Sequence, residues 1–325
     1  MKTPALSVDL ALLDDWRDWL AVAMKRFGSS GYGEAARVIS MDQLKAAVTS
    51  SNDLLFARAL DHPDHGRGLI IAVHSRWEES VLNKPVAKVV LFAADSFSAA
   101  VPLAADAMHA AADAGVMLFS VTPGHSPTFI HLALAEAGFH VGSQSLTVCA
   151  DLTAIAPAVA RIPLRGAFRS ATERDADVVA AIGQTGFANA RFTSDPYFPA
   201  EWGGMLYAAW ARNLVMGAAD IVVVTEQNNR VIGFVSMCMD DARRARVPDL
   251  MAVEPKYDGF GVGVMLVRHM LDWYRERGMK YMIGGTEKNN TAINALYARL
   301  GVTFLDGNIV YHASPALSPL RERLA

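Results

Sequence analysis

Two stretches of the chain share one glycine-framed pattern. Gly115 and Gly138 lie 23 residues apart, as do Gly278 and Gly301, and each pair encloses a β-rich run, a polar loop and a helical run, in that order. The framed segments begin AGVMLFSVT and RGMKYMIGG and end LAEAG and YARLG. A glycine closing a helical pattern supplies the left-handed cap that ends it, so the frame marks helix ends and not merely composition. A repeat on this scale means one supersecondary unit used twice. Extended upstream, the overlay sets 101–113 on the helical run 264–276. It also sets Asp95-Ser96-Phe97-Ser98-Ala99-Ala100 on Asp258-Gly259-Phe260-Gly261-Val262-Gly263. The first copy has lost all three loop glycines, and with them easy access to positive φ.

The chain of 325 residues is long enough for two domains. The steps Ala156-Pro157 and Ile162-Pro163 disfavour continuous helix, which sets the expected division at 1–155 and 156–325. After it, 167–171 reads as strand and Thr172-Glu173-Arg174-Asp175 opens a helix. Runs at 221–225 and 231–237, separated by Glu226-Gln227-Asn228-Asn229-Arg230, read as a hairpin. A short strand at 249–253, helix at 264–277, strand at 281–283, helix at 291–300 and strand at 308–312 follow. The N-terminal 27 residues read as one amphipathic helix.

Charge and cysteine content narrow the function classes. The net charge is −3 with no Lys/Arg block, which argues against nucleic acid as a partner. Cys149 and Cys238 stand alone, so neither a disulfide framework nor a zinc site is expected and no metal is assigned. His62-Pro63-Asp64-His65 reads as a polar turn ahead of Gly66-Arg67-Gly68. No apolar run reaches membrane-spanning length and no signal-peptide pattern opens the chain. The expected setting is cytoplasmic without a membrane partner, and a homodimer stays open. No GxSxG occurs.

The glycine loop at 259–263 carries the chemistry. It follows a strand and opens a helix, where free backbone N–H groups and the positive end of the helix dipole converge on one point fit for phosphate. The dinucleotide pattern GxGxxG fails, because Val264 stands at the last position, and no Gly-Lys-Ser/Thr follows to make a P-loop.

Val253-Glu254-Pro255-Lys256-Tyr257-Asp258-Gly259-Phe260-Gly261-Val262-Gly263 resembles the V-x-P-x-x-R-G-x-G-x-G signature of the GNAT acetyltransferase superfamily, departing from it at Asp258. The resemblance implies an α+β fold of two tandem GNAT-like halves, each a mixed central sheet flanked by helices, with the N-terminal half degenerate. It implies acetyl-CoA as the bound coenzyme, held by the pyrophosphate on Gly259, Phe260, Gly261, Val262, Gly263 and Val264. The strand Leu250, Met251, Ala252 and Val253 would hold the thioester carbonyl. A carboxylate about 8 Å from a pyrophosphate would cost roughly 1–2 kcal/mol at an effective dielectric near 20, so Asp258 is expected to face solvent.

The stretch Asn290 to Tyr297 ahead of Leu300-Gly301 resembles the GNAT motif that brings a tyrosine to the thioester sulfur. Tyr297 is thereby implied as the acid that protonates the departing thiolate, and Leu134 replaces it in the first copy. Asn290 reads either as a helix cap or as a contact to the pantetheine arm. Phe187 to Phe198, then Tyr207 and Trp210, look most like the branch that N-acetylates 4-amino-4,6-dideoxy sugar nucleotides. On that likeness Arg191, Tyr197, Tyr207 and Trp210 line the acceptor site, though Tyr207 and Trp210 read equally as core. No single base stands out among Glu287, Asp240, His269 and a water chain. The implied activity is direct acetyl transfer to a primary amine. An amino acid, peptide or small metabolite amine is the alternative acceptor, and Asp258 also motivates a coenzyme-binding regulatory module of weak catalytic power.

Overall fold

The computed structural model describes residues 8–26, 40–50, 53–163, 166–188, 190–239, 245–246 and 250–316. The chain divides into two compact units. The first comprises residues 1–144 with 307–325, and the second residues 145–306.

The first unit opens with α1 (Leu10–Asp15) and α2 (Arg17–Arg26), two helices parted at Trp16 where one was expected, and then α3 (Met41–Thr49). Strands β1 (Leu54–His62) and β2 (Gly66–His74) form a hairpin, α4 (Arg76–Leu82) follows, and β3 (Val86–Ala94) pairs antiparallel with β2. Next come α5 (Phe97–Asp113), β4 (Leu118–Val121) parallel to β3, α6 (Thr128–Glu136), and the first five residues of β5 (His140–Asp151). The core lies where α5 covers the sheet. Ala100, Ala104, Ala107 and Ala111 are fully buried at near-helical spacing, and their small size lets the helix approach Ile70, Leu91 and Phe92.

The second unit begins within β5, at Ser145, and continues through α7 (Leu152–Ala160) and β6 (Ala167–Ser170) to α8 (Ala176–Gly186) and α9 (Ala200–Asn213). Helix α7 runs through Pro157, against the expectation that the Ala-Pro step would break it. Asp151 caps its first turn, accepting from the N–H groups of Thr153 and Ala154 at 3.0 Å each, and Arg268 donates to the carbonyls of Ala160 and Ile162 at its end. Burial of Leu152, Ile155 and Val159 on one face supplies the rest of its stability, about 1.5–3 kcal/mol for each large side chain fully removed from water.

Strands β7 (Ile221–Gln227) and β8 (Arg230–Met239) form the expected hairpin, closed by Asn228 and Asn229 at φ 52° and 59°. Two consecutive left-handed residues make the turn whose twist suits adjoining strands. The two-residue β9 (Ala245–Arg246) and β10 (Met251–Val253) share one edge of β8, β9 against Cys238 and Met239 and β10 against residues 233–235. Helix α10 (Val262–Glu276), β11 (Tyr281–Glu287), α11 (Thr291–Leu300) and β12 (Thr303–Ala313) complete the order. Strand β11 runs parallel to β9 at Met282 and Ile283 and antiparallel to β5 over residues 145–151. Strand β8 is buried on both faces. Val235 and Met237 face α10, and Phe234 faces α8 and α9.

The element order repeats. A hairpin, a strand, a long helix, a strand, a shorter helix and a strand occur in the first half as β1-β2-β3-α5-β4-α6-β5 and in the second as β7-β8-β10-α10-β11-α11-β12. The four framing glycines all have positive φ, 68°, 93°, 73° and 82°, directly after helices α5, α6, α10 and α11. Each half gives its last strand away. Residues 145–151 of β5 complete the second unit beside β11, and residues 307–313 of β12 complete the first, where Tyr311, His312 and Ala313 pair with β4.

Candidate functional site

The glycine loop lies between β10 and α10. Pro255 to Tyr257 make one tight turn, with the Asp258 N–H donating to the Pro255 carbonyl at 3.1 Å, and the chain then passes Gly259 and Gly261 at φ 81° each. Gly261 is the helix N-cap and has no side chain to cap with, so the first N–H groups of α10 at Val262, Gly263 and Val264 have no side-chain cap. The Phe260 N–H lies 3.4 Å from the Tyr257 carbonyl, and its ring is 77% exposed. Asp258 is exposed.

Positive φ explains glycine at 259 and 261, but not at 263. Gly263 is helical, and a Cβ placed on it would meet nothing nearer than Val253 Cγ2 at 3.9 Å. Neither backbone strain nor packing asks for glycine there. A Cβ at Gly259 or Gly261 would likewise meet nothing within 4 Å. All three glycines therefore border open space at a helix N-terminus, the arrangement that lets a phosphate lie against backbone.

The first half has turned the same position into ordinary helix. Ser96 replaces the first loop glycine and caps α5, accepting from the Ala99 N–H at 3.1 Å and donating to the His65 carbonyl at 2.6 Å. The helix thereby starts two residues earlier than α10 does in the overlay. Asp95, the counterpart of Asp258, accepts from the Trp19 indole at 2.7 Å and from the Arg67 N–H at 2.8 Å, with Arg67 lying over the Trp16 and Trp19 rings. Leu134 is fully buried at the tyrosine position.

Strand β10 offers one edge only to its neighbour. Ser236 N–H donates to the Leu250 carbonyl at 3.0 Å and Glu254 N–H to the Ile232 carbonyl at 2.8 Å, so the even-numbered residues of 250–254 face β8. In that register Met251 and Val253 stand in wide pairs, and their N–H and C=O groups point to the opposite edge. No strand pairs with that edge among the described residues, because β11 leaves the sheet's pairing with β9 after Ile283. Leu250 N–H donates instead to Ser236 Oγ at 3.0 Å, so of the four strand residues singled out in the sequence Met251 and Val253 present free amides and Leu250 does not.

Tyr297 belongs to the apolar cluster that also holds Val262, Leu266, Met251 and Val253. It is 3% exposed, and burial pushes its phenol up to about 12, so it stays protonated at neutral pH. Asn290 caps α11, its Oδ1 accepting from the Ile293 N–H at 3.3 Å. One turn before Tyr297, Asn294 donates through Nδ2 to the carbonyls of Glu287 at 3.2 Å and Lys288 at 3.1 Å. Asn294 carried no signal in the sequence beyond that spacing.

The acceptor-side residues sit around the junction of α8 and α9. Gly183 lets the helices touch, a Cβ there meeting Ala211 Cβ at 2.8 Å, and Gly186 lets the end of α8 rest on Ala252 of β10. Tyr207 is buried, stacked on Phe187 at 4.5 Å and on Trp210 at 6.3 Å, with Phe192 tilted against it. Burial raises its phenol above the ordinary range and the charge of Glu287 adds to that, while Arg191 and the Phe192 backbone pull the other way. Tyr207 thus lies within electrostatic range of both Arg191 and Glu287, the latter at the end of β11. The Arg191 guanidinium sits 4.7 Å from the Phe192 ring, and Tyr197 is 63% exposed. His269 stacks on Phe168 at 5.2 Å, with burial lowering its pKa. Asn189 and Asp240 lie outside the described residues. The exposed turn at His62 is closed by its own Nδ1, which accepts from the Asp64 N–H at 3.1 Å.

The Acetyltransferase (GNAT) family model matches residues 189–302, the span that holds the glycine loop, the open edge of β10 and Tyr297. Over these residues the chain is similar to GNAT acetyltransferases. Two curated relatives are similar to the chain. Spore coat polysaccharide biosynthesis protein SpsD of Bacillus subtilis (strain 168) is 25% identical over 142 residues, 43% of this chain and 48% of that one. The dTDP-fucosamine acetyltransferase of Escherichia coli O6:H1 is 29% identical over 133 residues, 40% of this chain and 56% of that one. The chain spans about half the length of these relatives. A solved tandem GNAT protein from the clavulanic acid biosynthesis pathway shares the fold over 98% of this chain and 100% of its own, with a TM-score of 0.57 at 14% identity. The matched span therefore lies in the second of two halves with a GNAT-like fold.

Proposed function

We propose that this chain is an acetyl-CoA-dependent N-acetyltransferase that acylates a primary amine directly, with the amino group of a nucleotide-linked amino sugar as its acceptor. The observation that carries the reading is Gly263, a helical glycine that neither φ nor packing requires, at an uncapped helix N-terminus. Bound there, acetyl-CoA supplies an activated acetyl thioester. The amides from Gly261 to Val264 would hold its pyrophosphate, while the Met251 and Val253 groups on the open edge would hold the pantetheine arm and the thioester oxygen, where negative charge develops. Tyr297, protonated through neutral pH, would give its proton to the leaving thiolate, whose conjugate acid lies near about 8.5.

The acceptor class is supported by Arg191 beside Phe192 and by the exposed Tyr197, groups that suit a diphosphate and a base, and by the two relatives named for polysaccharide and amino-sugar chemistry. No helix among the described residues is long and apolar enough to cross a membrane, and a cytoplasmic setting, where acetyl-CoA and nucleotide sugars are made, is part of the reading.

The test is thiol release from acetyl-CoA against a panel of amines that includes dTDP-4-amino-4,6-dideoxyhexoses, beside calorimetric titration of acetyl-CoA. Release with an amino-sugar nucleotide is the expected result. Binding without release from any amine would replace the transferase with a coenzyme-binding module, and absence of binding would remove the coenzyme reading itself.

A further inference from the structure

Asn294 holds an unmatched group in the middle of the proposed site. Both protons of its amide are committed, to the carbonyls of Glu287 and Lys288, and this fixes which way the amide faces. Its Oδ1 is consequently turned the other way, fully buried, and has no hydrogen-bond partner among the described residues. Buried carbonyl oxygens are almost always matched to a donor, and an oxygen pinned by its own amide cannot rotate to find one.

The surroundings say what kind of donor fits. Asn294 and Tyr297 are three residues apart on α11 and share a face, and helical side chains lean toward the N-terminus, so the phenol of Tyr297 leans toward the level of Asn294. Glu287, whose carbonyl Asn294 holds, is also the residue whose charge reaches Tyr207 on the acceptor side. Asn294 is therefore one helical turn from the proposed acid and tied to the strand end whose carboxylate lies within electrostatic range of Tyr207. Asn290, by contrast, spends its Oδ1 on the helix cap.

We propose that Asn294 Oδ1 accepts a hydrogen bond from the amino group of the acyl acceptor and holds the attacking nitrogen, an inference that rests on the acetyltransferase reading above. In the transfer the amine nitrogen bonds to the acetyl carbon, the carbon–sulfur bond breaks, Tyr297 protonates the sulfur, the nitrogen releases one proton to solvent and Tyr297 regains one from it. Asn294, a neutral acceptor, takes no proton. It selects for an acceptor nitrogen that keeps an N–H to spare while its lone pair attacks.

Asn294→Ala and Asn294→Asp are compared with wild type for acetyl-CoA affinity, melting temperature and kcat/KM, using two nucleophiles. One is the dTDP-4-amino-4,6-dideoxyhexose, and the other is hydroxylamine, which is neutral at pH 7 and needs only its nitrogen placed. The expected result for Asn294→Ala is a loss of tenfold or more in kcat/KM with both nucleophiles and acetyl-CoA affinity within twofold of wild type. Asn294→Asp should come nearer to wild type at low pH, where a protonated carboxyl keeps an acceptor oxygen and one of the amide's two donors, and fall away from it as pH rises. If only the sugar nucleotide fails with wild-type protein, the acceptor class is wrong and hydroxylamine still decides the role of Asn294. Unchanged kcat/KM, or a loss matched in acetyl-CoA affinity, overturns the proposal, as does the absence of wild-type release with either nucleophile.

Discussion

The hydroxyl of Tyr274 serves both backbone polar groups of one residue. It accepts from the Cys238 N–H at 3.2 Å and donates to the Cys238 carbonyl at 3.1 Å, in a side chain that is fully buried. Helix α10, which presents the glycine loop at its start, is thereby locked near its end to the strand that carries β10. Tyr274→Phe removes both hydrogen bonds from a buried side chain and should destabilise the protein by about 1–3 kcal/mol. Urea denaturation would read this as a lower midpoint with unchanged slope, and acetyl-CoA affinity at low denaturant should be retained.

Tyr297→Phe separates chemistry from binding. Loss of the acid should lower kcat by about 100-fold or more, with acetyl-CoA affinity unchanged by calorimetry. The same substitution has a stability signature. Folding raises this phenol from its ordinary value near 10 to about 12. Between those values the unfolded chain releases the proton while the folded protein keeps it, so the associated stability is intact below about pH 10 and falls as pH rises toward 12, by roughly 2–3 kcal/mol at most. The stability difference between wild type and Tyr297→Phe should therefore drift against wild type between pH 9 and 11, measured by denaturant midpoints; a constant difference would place the phenol's pKa near its ordinary value.

Two glycines of the loop should behave oppositely. Gly263→Ala adds a methyl group to a helix without a clash and should leave stability equal or raised by about 0.4–1 kcal/mol, while weakening acetyl-CoA at least tenfold by filling the space against the backbone. Gly261→Ala forces a side chain to φ 81° and should cost about 1–2 kcal/mol. Thermal melts with and without acetyl-CoA would expose the contrast.

Asp258 stands where the resembling signature has Arg, exposed and close in sequence to the amides proposed to hold the pyrophosphate. Asp258→Arg should tighten acetyl-CoA by about two- to tenfold at low salt, because it exchanges a repulsive charge for an attractive one, and the gain should shrink as added salt screens it. Titrations at two ionic strengths would show whether the loop senses that charge.

The local parts of this protein were readable in its sequence because each has a local cause. Asn228-Asn229 announced a hairpin, Gly278 and Gly301 announced helix ends, and the glycines from Gly259 to Gly263 announced a left-handed loop opening a helix, since backbone conformation at those positions depends on the residue itself. Two readings failed for non-local reasons. Pro157 looked like a helix breaker, but the Asp151 cap, the buried face of Leu152, Ile155 and Val159, and Arg268 from a distant helix outweigh the lost bond. The exchange of β5 and β12 left no trace, because the two strands follow equivalent helices and nothing in their residues names the neighbour they will pair with. Asn294 was invisible for a similar reason, its meaning depending on where its amide is tied.

That exchange also dictates the order in which the molecule can be finished. Strand β4 is made early, yet Val121 waits for Tyr311, nearly two hundred positions further along the chain. While the protein emerges from the ribosome, the first unit stays incomplete, with β4 an exposed strand edge open to wrong partners, until residues 307–313 have been synthesised. A translation pause, a frameshift or a nick near residue 306 would spare every residue of the proposed active site and strike the first unit. A C-terminal fragment starting at residue 156 would lack β5, and with it the partner of β11 that runs into Glu287. Each unit thus contains a strand that the sequence places at the end of the other half, and pulse-labelled protection of residues 118–121 should appear only after full-length release.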